Sequence, residues 1–150
     1  MAEPTTLVIG APAADHLALR PKARCHPGAT DYWDGNWLKT EVELRVRAFR
    51  AAFDADLRVD EFADFRSQLA ALHRSLQGEA VLRCMEHWVS VHAKGDGRGH
   101  VRFECEVRDD PGMGAVLRFD LEADQTGLPA MLTALDYILD AFPLVGDPRT

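Results

Sequence analysis

From Leu38 onward, hydrophobic and polar residues alternate more regularly than anywhere else in the chain. Leu38, Thr40, Val42, Leu44, Val46 and Ala48 share one parity, and Lys39, Glu41, Glu43, Arg45 and Arg47 share the other. Successive strand side chains point to opposite faces, so the pattern predicts a long strand with one buried and one solvated face. The apolar positions then change parity, to Phe49, Ala51, Phe53, Ala55 and Leu57. A reversal between Arg47 and Arg50 accounts for the change, although no Gly or Asn marks where it falls. Earlier, short apolar runs predict strands at Leu7–Ile9, stopped by Gly10 and Pro12, and at His16–Arg20, stopped by Pro21. The stretch from Pro21 to Thr30 reads as a loop.

The period then lengthens. Phe62, Phe65, Leu69, Leu72 and Leu76 recur every three or four residues, which predicts an amphipathic helix over about 60–77. Asp60 is the expected N-cap, Glu61 suits the first turn, and Gly78 is the expected stop. Strands follow at Ala80–Leu82, Trp88–Ala93, His100–Arg108 and Leu117–Asp124, with turns at Gly95–Gly99 and Asp109–Gly112. A second apolar stripe from Leu128 through Met131, Leu135 and Ile138 to Phe142 predicts a helix over about 127–142. Thr126 is its expected N-cap, and Pro143 ends it. The expectation is one α+β domain over residues 1–150. It has a mostly antiparallel sheet of about six to eight strands, covered on one face by the two helices.

Composition narrows the function classes. Seventeen Lys and Arg stand against 24 Asp and Glu, a net charge of −7. That balance opposes nucleic-acid binding, which draws on phosphate neutralisation, and suits a basic protein partner. Met1–Thr6 carries an acidic residue and no basic one before a short apolar run, unlike a secretory signal. No apolar run approaches the length of a membrane span. Three cysteines, Cys25, Cys84 and Cys105, are an odd set with no disulfide framework. The expected location is the cytoplasm, with reduced thiols.

Just before the long strand lies Asp31-Tyr32-Trp33-Asp34-Gly35-Asn36-Trp37-Leu38, which holds two of the three tryptophans among carboxylates and a carboxamide. The simplest reading is turn chemistry by Asp34 and Asn36, with a tryptophan plugging the core edge. A partner surface, with Tyr32 or Trp33 as anchor, is the functional reading. Asp31, Asp34 and Asn36 also offer oxygens to a hard cation, but their spacing is not that of a calcium loop. Cys25-His26 and Cys84 with His87 are zinc candidates without the two spaced pairs a structural site needs. His92 and His100 flank the glycine-rich turn; they read as solvent-facing strand histidines, with a pair set across from each other as the functional alternative. No G-x-S-x-G elbow or phosphate-cradling loop is present, and no Cys–His signature stands out. Asp120, Glu122 and Asp124 form an outward acidic ladder. No catalytic residue, metal or cofactor is expected.

The run from Asp31 to Leu38, the alternating strand behind it, and Asp124-Gln125-Thr126-Gly127-Leu128-Pro129 before the last helix resemble the WapI-like family of small bacterial proteins. Many of its members are actinobacterial proteins built on a domain of unknown function, and others are immunity proteins that neutralise a secreted or contact-delivered toxin, in the type example a tRNA-cleaving one. The resemblance implies no catalytic residues. The resulting expectation is an immunity-like protein that binds a protein partner, with a basic toxin domain fitting its charge. Asp31, Tyr32, Trp33, Asp34, Glu41, Glu43, Asp120, Glu122 and Asp124 are the expected contacts. The alternative is a small-ligand or metal-binding domain using Asp31, Asp34, Asn36, His92 and His100.

Overall fold

The computed structural model describes residues 4–11 and 13–150. Among them the chain forms eight strands and three α-helices, an α+β architecture as expected. The strands divide between two antiparallel meanders. The first comprises β1 (Leu7–Gly10), β2 (His16–Arg24), β3 (Trp37–Val46) and β4 (Phe49–Arg58) in that order. The second comprises β5 (Gln77–Arg83), β6 (Val89–Asp96), β7 (His100–Arg108) and β8 (Val116–Asp124). A one-turn helix, α1 (Tyr32–Gly35), precedes β3, while α2 (Val59–Ser75) separates the sheets and α3 (Leu128–Ala141) follows β8. The division has a local cause: β4 runs directly into α2, which carries the chain 17 residues away before the next strand starts.

One continuous core joins both sheets and both long helices. Leu19, Val42 and Leu44 from the first sheet meet Val91 and Phe103 from the second, with Phe62, Phe65 and Leu69 of α2 and Leu135 and Ile138 of α3. The alternation in β3 predicted its face correctly: Leu38, Thr40, Val42 and Leu44 are buried, while Lys39 and Arg45 are exposed. Helix α2 packs on β5 and α3, α3 reaches β1, and the edge strands β1 and β8 touch. Complete burial of a side chain such as Phe62 or Phe103 stabilises by about 1.5–3 kcal/mol.

Several boundaries differ from expectation. Strand β2 does not stop at Pro21 but continues to Arg24, with a bulge between Pro21 and Ala23. Pairing with β1 begins at Leu7 opposite Leu19, so at Pro21 only β3 flanks the strand, and the missing N–H is tolerated. Gly10 ends β1 as expected, while Pro12 and Met1–Glu3 lie outside the described residues. The β3–β4 reversal occupies only Arg47 and Ala48, with Val46 opposite Phe49.

Asp60 is not the cap of α2. Arg58 occupies that position, and Glu61 Oε1 accepts its N–H at 2.9 Å. Asp60 lies inside the first turn, its carboxylate taken by the Arg58 guanidinium. The helix stops at Leu76 (φ 61) rather than Gly78, and Gly78 is the second residue of β5. The reason is close packing on β6. A Cβ at Gly95 would stand 2.7 Å from Leu72 Cδ1 and 2.8 Å from the Leu76 carbonyl. Nor does Thr126 cap α3. The Asp124 carboxylate accepts the Thr126 N–H at 2.8 Å, shaping a 3-10 turn over Gln125–Gly127 before α3 begins with Pro129 in its first turn.

Candidate partner-binding site

The motif before β3 is a helical turn rather than an open one. Asp31 is the N-cap, its carboxylate accepting the Asp34 N–H at 3.0 Å. Of the two expected backbone-bonding roles, the capping carboxylate is that of Asp31 rather than Asp34, while Asn36 does bond the turn's own backbone at Tyr32. Asn36 is fully buried and reaches across the molecule. Its Nδ2 donates to the Tyr32 and Val145 carbonyls, both at 2.9 Å, and its Oδ1 accepts the Val145 N–H at 3.1 Å. The C-terminal segment is thereby strapped over α1. Gly35 allows the close approach, since a Cβ there would stand 2.6 Å from Val145 Cγ2. Arg24 completes the strap, donating to the carbonyls of Gly35 (2.7 Å) and Pro143 (2.6 Å).

At the centre of the motif is Arg58, whose side chain is entirely buried. Its guanidinium lies 4.8 Å from the Trp37 ring centroid, 5.1 Å from Tyr32 and 5.5 Å from Trp33. It donates to the Trp33 carbonyl (2.7 Å), the Tyr32 carbonyl (2.8 Å) and Asp60 Oδ1 (2.9 Å). A buried cation needs such company, because desolvation would otherwise expel it. Tyr32 and Trp33 meet edge to face, with centroids 4.9 Å apart. This cage packs Trp33 against Tyr32 and Arg58 while leaving it 47% exposed, between the exposed carboxylates Asp31 and Asp34. Among the described residues no cation pairs with Asp34.

Beside the cage opens a cleft of about 670 Å³. Tyr32, Asp60, Glu61 and Asp64 line one side, and Arg83, Met85 and His87 line the other. Burial, reinforced by the Asp60 carboxylate, pushes the Tyr32 hydroxyl pKa above its usual value. Burial also raises Glu61, whose second oxygen accepts the Met85 N–H at 2.6 Å and ties the β5–β6 loop to the start of α2.

The remaining predicted contacts are distributed and mostly engaged. On β3, Glu41 accepts from Arg20 (2.9 Å) and lies 3.9 Å from Lys22, while Glu43 meets His16 Nε2 at 2.8 Å. On β8, in the other sheet, Asp120 pairs with Arg102 at 2.5 Å, Glu122 lies 3.4 Å from His100, and Asp124 caps the 3-10 turn. Hydrogen bonds to Thr126 hold the Asp124 carboxyl below the usual range.

His92 and His100 are not opposite each other: the register sets His92 across from Glu104 and His100 across from Asp124. Among the described residues, no three His, Cys, Asp or Glu side chains group as metal ligands would. Burial lifts the thiol pKa of Cys105 to about 12 and of Cys84 well above normal. Burial and the Asp56 carboxylate lift Cys25 to about 11. Such thiols are poor nucleophiles.

Arg58 is the residue sequence reasoning missed. Its one signal was position, a lone cation at the strand–helix junction after the inward series ending at Leu57, followed by Asp60 and Glu61. Fold and site together define a small two-sheet α+β domain with an aromatic–acidic surface. No helix among the described residues is long and apolar enough to cross a membrane. The chain belongs to the immunity protein WapI-like family, whose family model matches residues 8–143. The match extends well beyond the motifs that carried the resemblance. Comparison with curated proteins gives no match.

Proposed function

We propose that the protein confers immunity by binding a toxin domain in the bacterial cytoplasm, as a folded inhibitor rather than through catalysis. Family membership points to an immunity function, which usually means binding a toxin partner. The observation that carries the choice of surface is Trp33, a half-exposed indole packed on Arg58 beside the unpaired carboxylate of Asp34. An aromatic held rigid in the free protein loses little entropy on docking, which is how interface anchors gain affinity. Asp31, Tyr32 and Asp34 form the immediate contact. Glu41, Glu43, Asp120, Glu122 and Asp124 belong to the wider field, which favours a basic partner and disfavours nucleic acid.

The test is a binding assay against the toxin domain encoded beside the gene. Trp33→Ala should weaken binding by at least thirtyfold, about 2 kcal/mol. Asp31→Asn/Asp34→Asn should slow association and reduce its salt dependence. Wild-type affinity in both variants would rule out this surface, and failure to bind any neighbouring toxin would overturn the function.

A further inference from the structure

The tip of the β3–β4 hairpin combines three features that each oppose stability. Arg45 and Arg50 are Cα partners directly across the two strands, on the exposed face, where like charges repel. Arg47, the first of the two turn residues, takes a positive φ (52°) usually left to glycine. Phe49 is 61% exposed although it belongs to the inward series of β4. Among the described residues no carboxylate forms an ion pair with Arg45, Arg47 or Arg50. The nearby acids have other partners: Glu43 has His16, Asp120 has Arg102, Glu122, in the same cleft as Arg47, has His100 at 3.4 Å, and Asp15 has the Arg47 N–H at 2.9 Å. That last bond anchors the turn to the β1–β2 loop, so the tip is held in place.

We infer that this tip is a second docking surface, for an acidic protein segment that also carries an apolar side chain. The segment wraps the tip, meeting Arg45 and Arg50 on the outer face, Arg47 at the turn and Phe49 on the opposite face. Three unpaired guanidiniums thereby supply the charge complementarity and Phe49 the apolar contact. Strain and repulsion concentrated in one place are the mark of a surface kept for use. A symmetric contact with a second copy of this chain would set Arg45 and Arg50 against their own kind. A long polyanion such as nucleic acid would run onto the exposed Asp54 and Asp56 farther along β4. A short acidic segment meets neither obstacle. This inference does not depend on the surface around α1.

The probe is a fluorescein-labelled peptide of alternating glutamate and leucine, followed by anisotropy, with a lysine–leucine peptide and a DNA duplex as comparisons. The glutamate peptide should bind, and at least tenfold more weakly in 300 mM than in 50 mM salt. Phe49→Ala should weaken it by at least fivefold. Arg45→Thr/Arg50→Thr should abolish binding yet raise the thermal midpoint, a pairing of effects that misfolding cannot produce. Absence of glutamate-peptide binding overturns the inference. So does tighter binding of either comparison probe, or binding unaffected by the double substitution.

Discussion

Arg58→Met removes a buried charge and leaves a side chain of similar length, so its effect isolates the cage. The arginine makes three charge-assisted hydrogen bonds, to Asp60 and to the carbonyls of Tyr32 and Trp33. At about 1.5 kcal/mol each these amount to roughly 4–5 kcal/mol. Three ring faces between 4.8 and 5.5 Å add to this, at about 0.5–1 kcal/mol apiece. Desolvating the guanidinium offsets part of the sum. The Tyr32 carbonyl keeps a donor in Asn36, whereas the Trp33 carbonyl and Asp60 lose theirs. The net expectation is a loss of about 3–5 kcal/mol, the scale for breaking a buried pair. That is a large part of the stability of a domain this size. Urea unfolding followed by tryptophan fluorescence measures it, since Trp33 and Trp37 both face the cation. Arg58→Lys should recover only part, because an ammonium lacks the planar fork. Asp60→Asn should cost less when combined with Arg58→Met than it does alone. An Arg58→Met variant within about 1 kcal/mol of wild type would refute the view that Arg58 organises the motif.

Glu61 gives a pH prediction. Burial raises its folded pKa above the unfolded value, so the folded state holds the extra proton and this group stabilises the protein as pH falls from neutral through its raised pKa. Asp96, Glu106, Asp124 and Asp147 are all lowered, through hydrogen bonds to backbone or side-chain donors, and act in the opposite sense as acid is added. Glu61→Gln should abolish the Glu61 part, read as the difference between the two stability–pH curves. It should also cost about 1–2 kcal/mol near neutral pH, because an amide cannot accept from both the Arg58 and Met85 N–H groups. For the thiols, Cys25 raised from 9.0 to about 11 should alkylate about a hundredfold more slowly at pH 7.5 than in the unfolded chain, as timed with iodoacetamide. Arg47→Gly should raise stability by about 0.5–1 kcal/mol in thermal or urea unfolding, by relieving the positive φ.

The strands were legible because their signal is local. A period of two fixes which face of β3 or β7 is buried, and those assignments hold residue by residue. The same signal cannot say which strands pair, so the division into two sheets, created by the β4–α2 junction, was hidden. Helix existence was legible from the apolar stripes, but the caps shifted. Asp60 and Thr126 look like caps in sequence, yet Asp60 is drawn to Arg58 and Asp124 claims Thr126. The site was harder still. Asn36 finds Val145 109 positions away, and nothing local marks that pairing. An arginine reads as a surface residue, so Arg58 gave no hint that three nearby rings would close over it.

The motif before β3 therefore splits into two halves that separate variants can tell apart. Trp37 lies closest to the buried guanidinium and opens β3, opposite Arg58 itself. Its replacement by Ala should cost about 3–5 kcal/mol of stability, as for a large aromatic removed from a packed site. Trp33 sits on the outer side of the same cation, half exposed, with fewer groups depending on it. Trp33→Ala gives up one ring–cation contact and one edge-to-face contact, together about 1–2 kcal/mol. If the cage exists to present Trp33, Trp33→Ala should lose toxin binding while remaining folded. Trp37→Ala should lose stability first and binding only in proportion to the unfolded fraction. Denaturation and binding measured on both variants decide the matter. Equal losses of binding at matched folded fraction would mean that the whole cage, rather than its exposed indole, forms the contact.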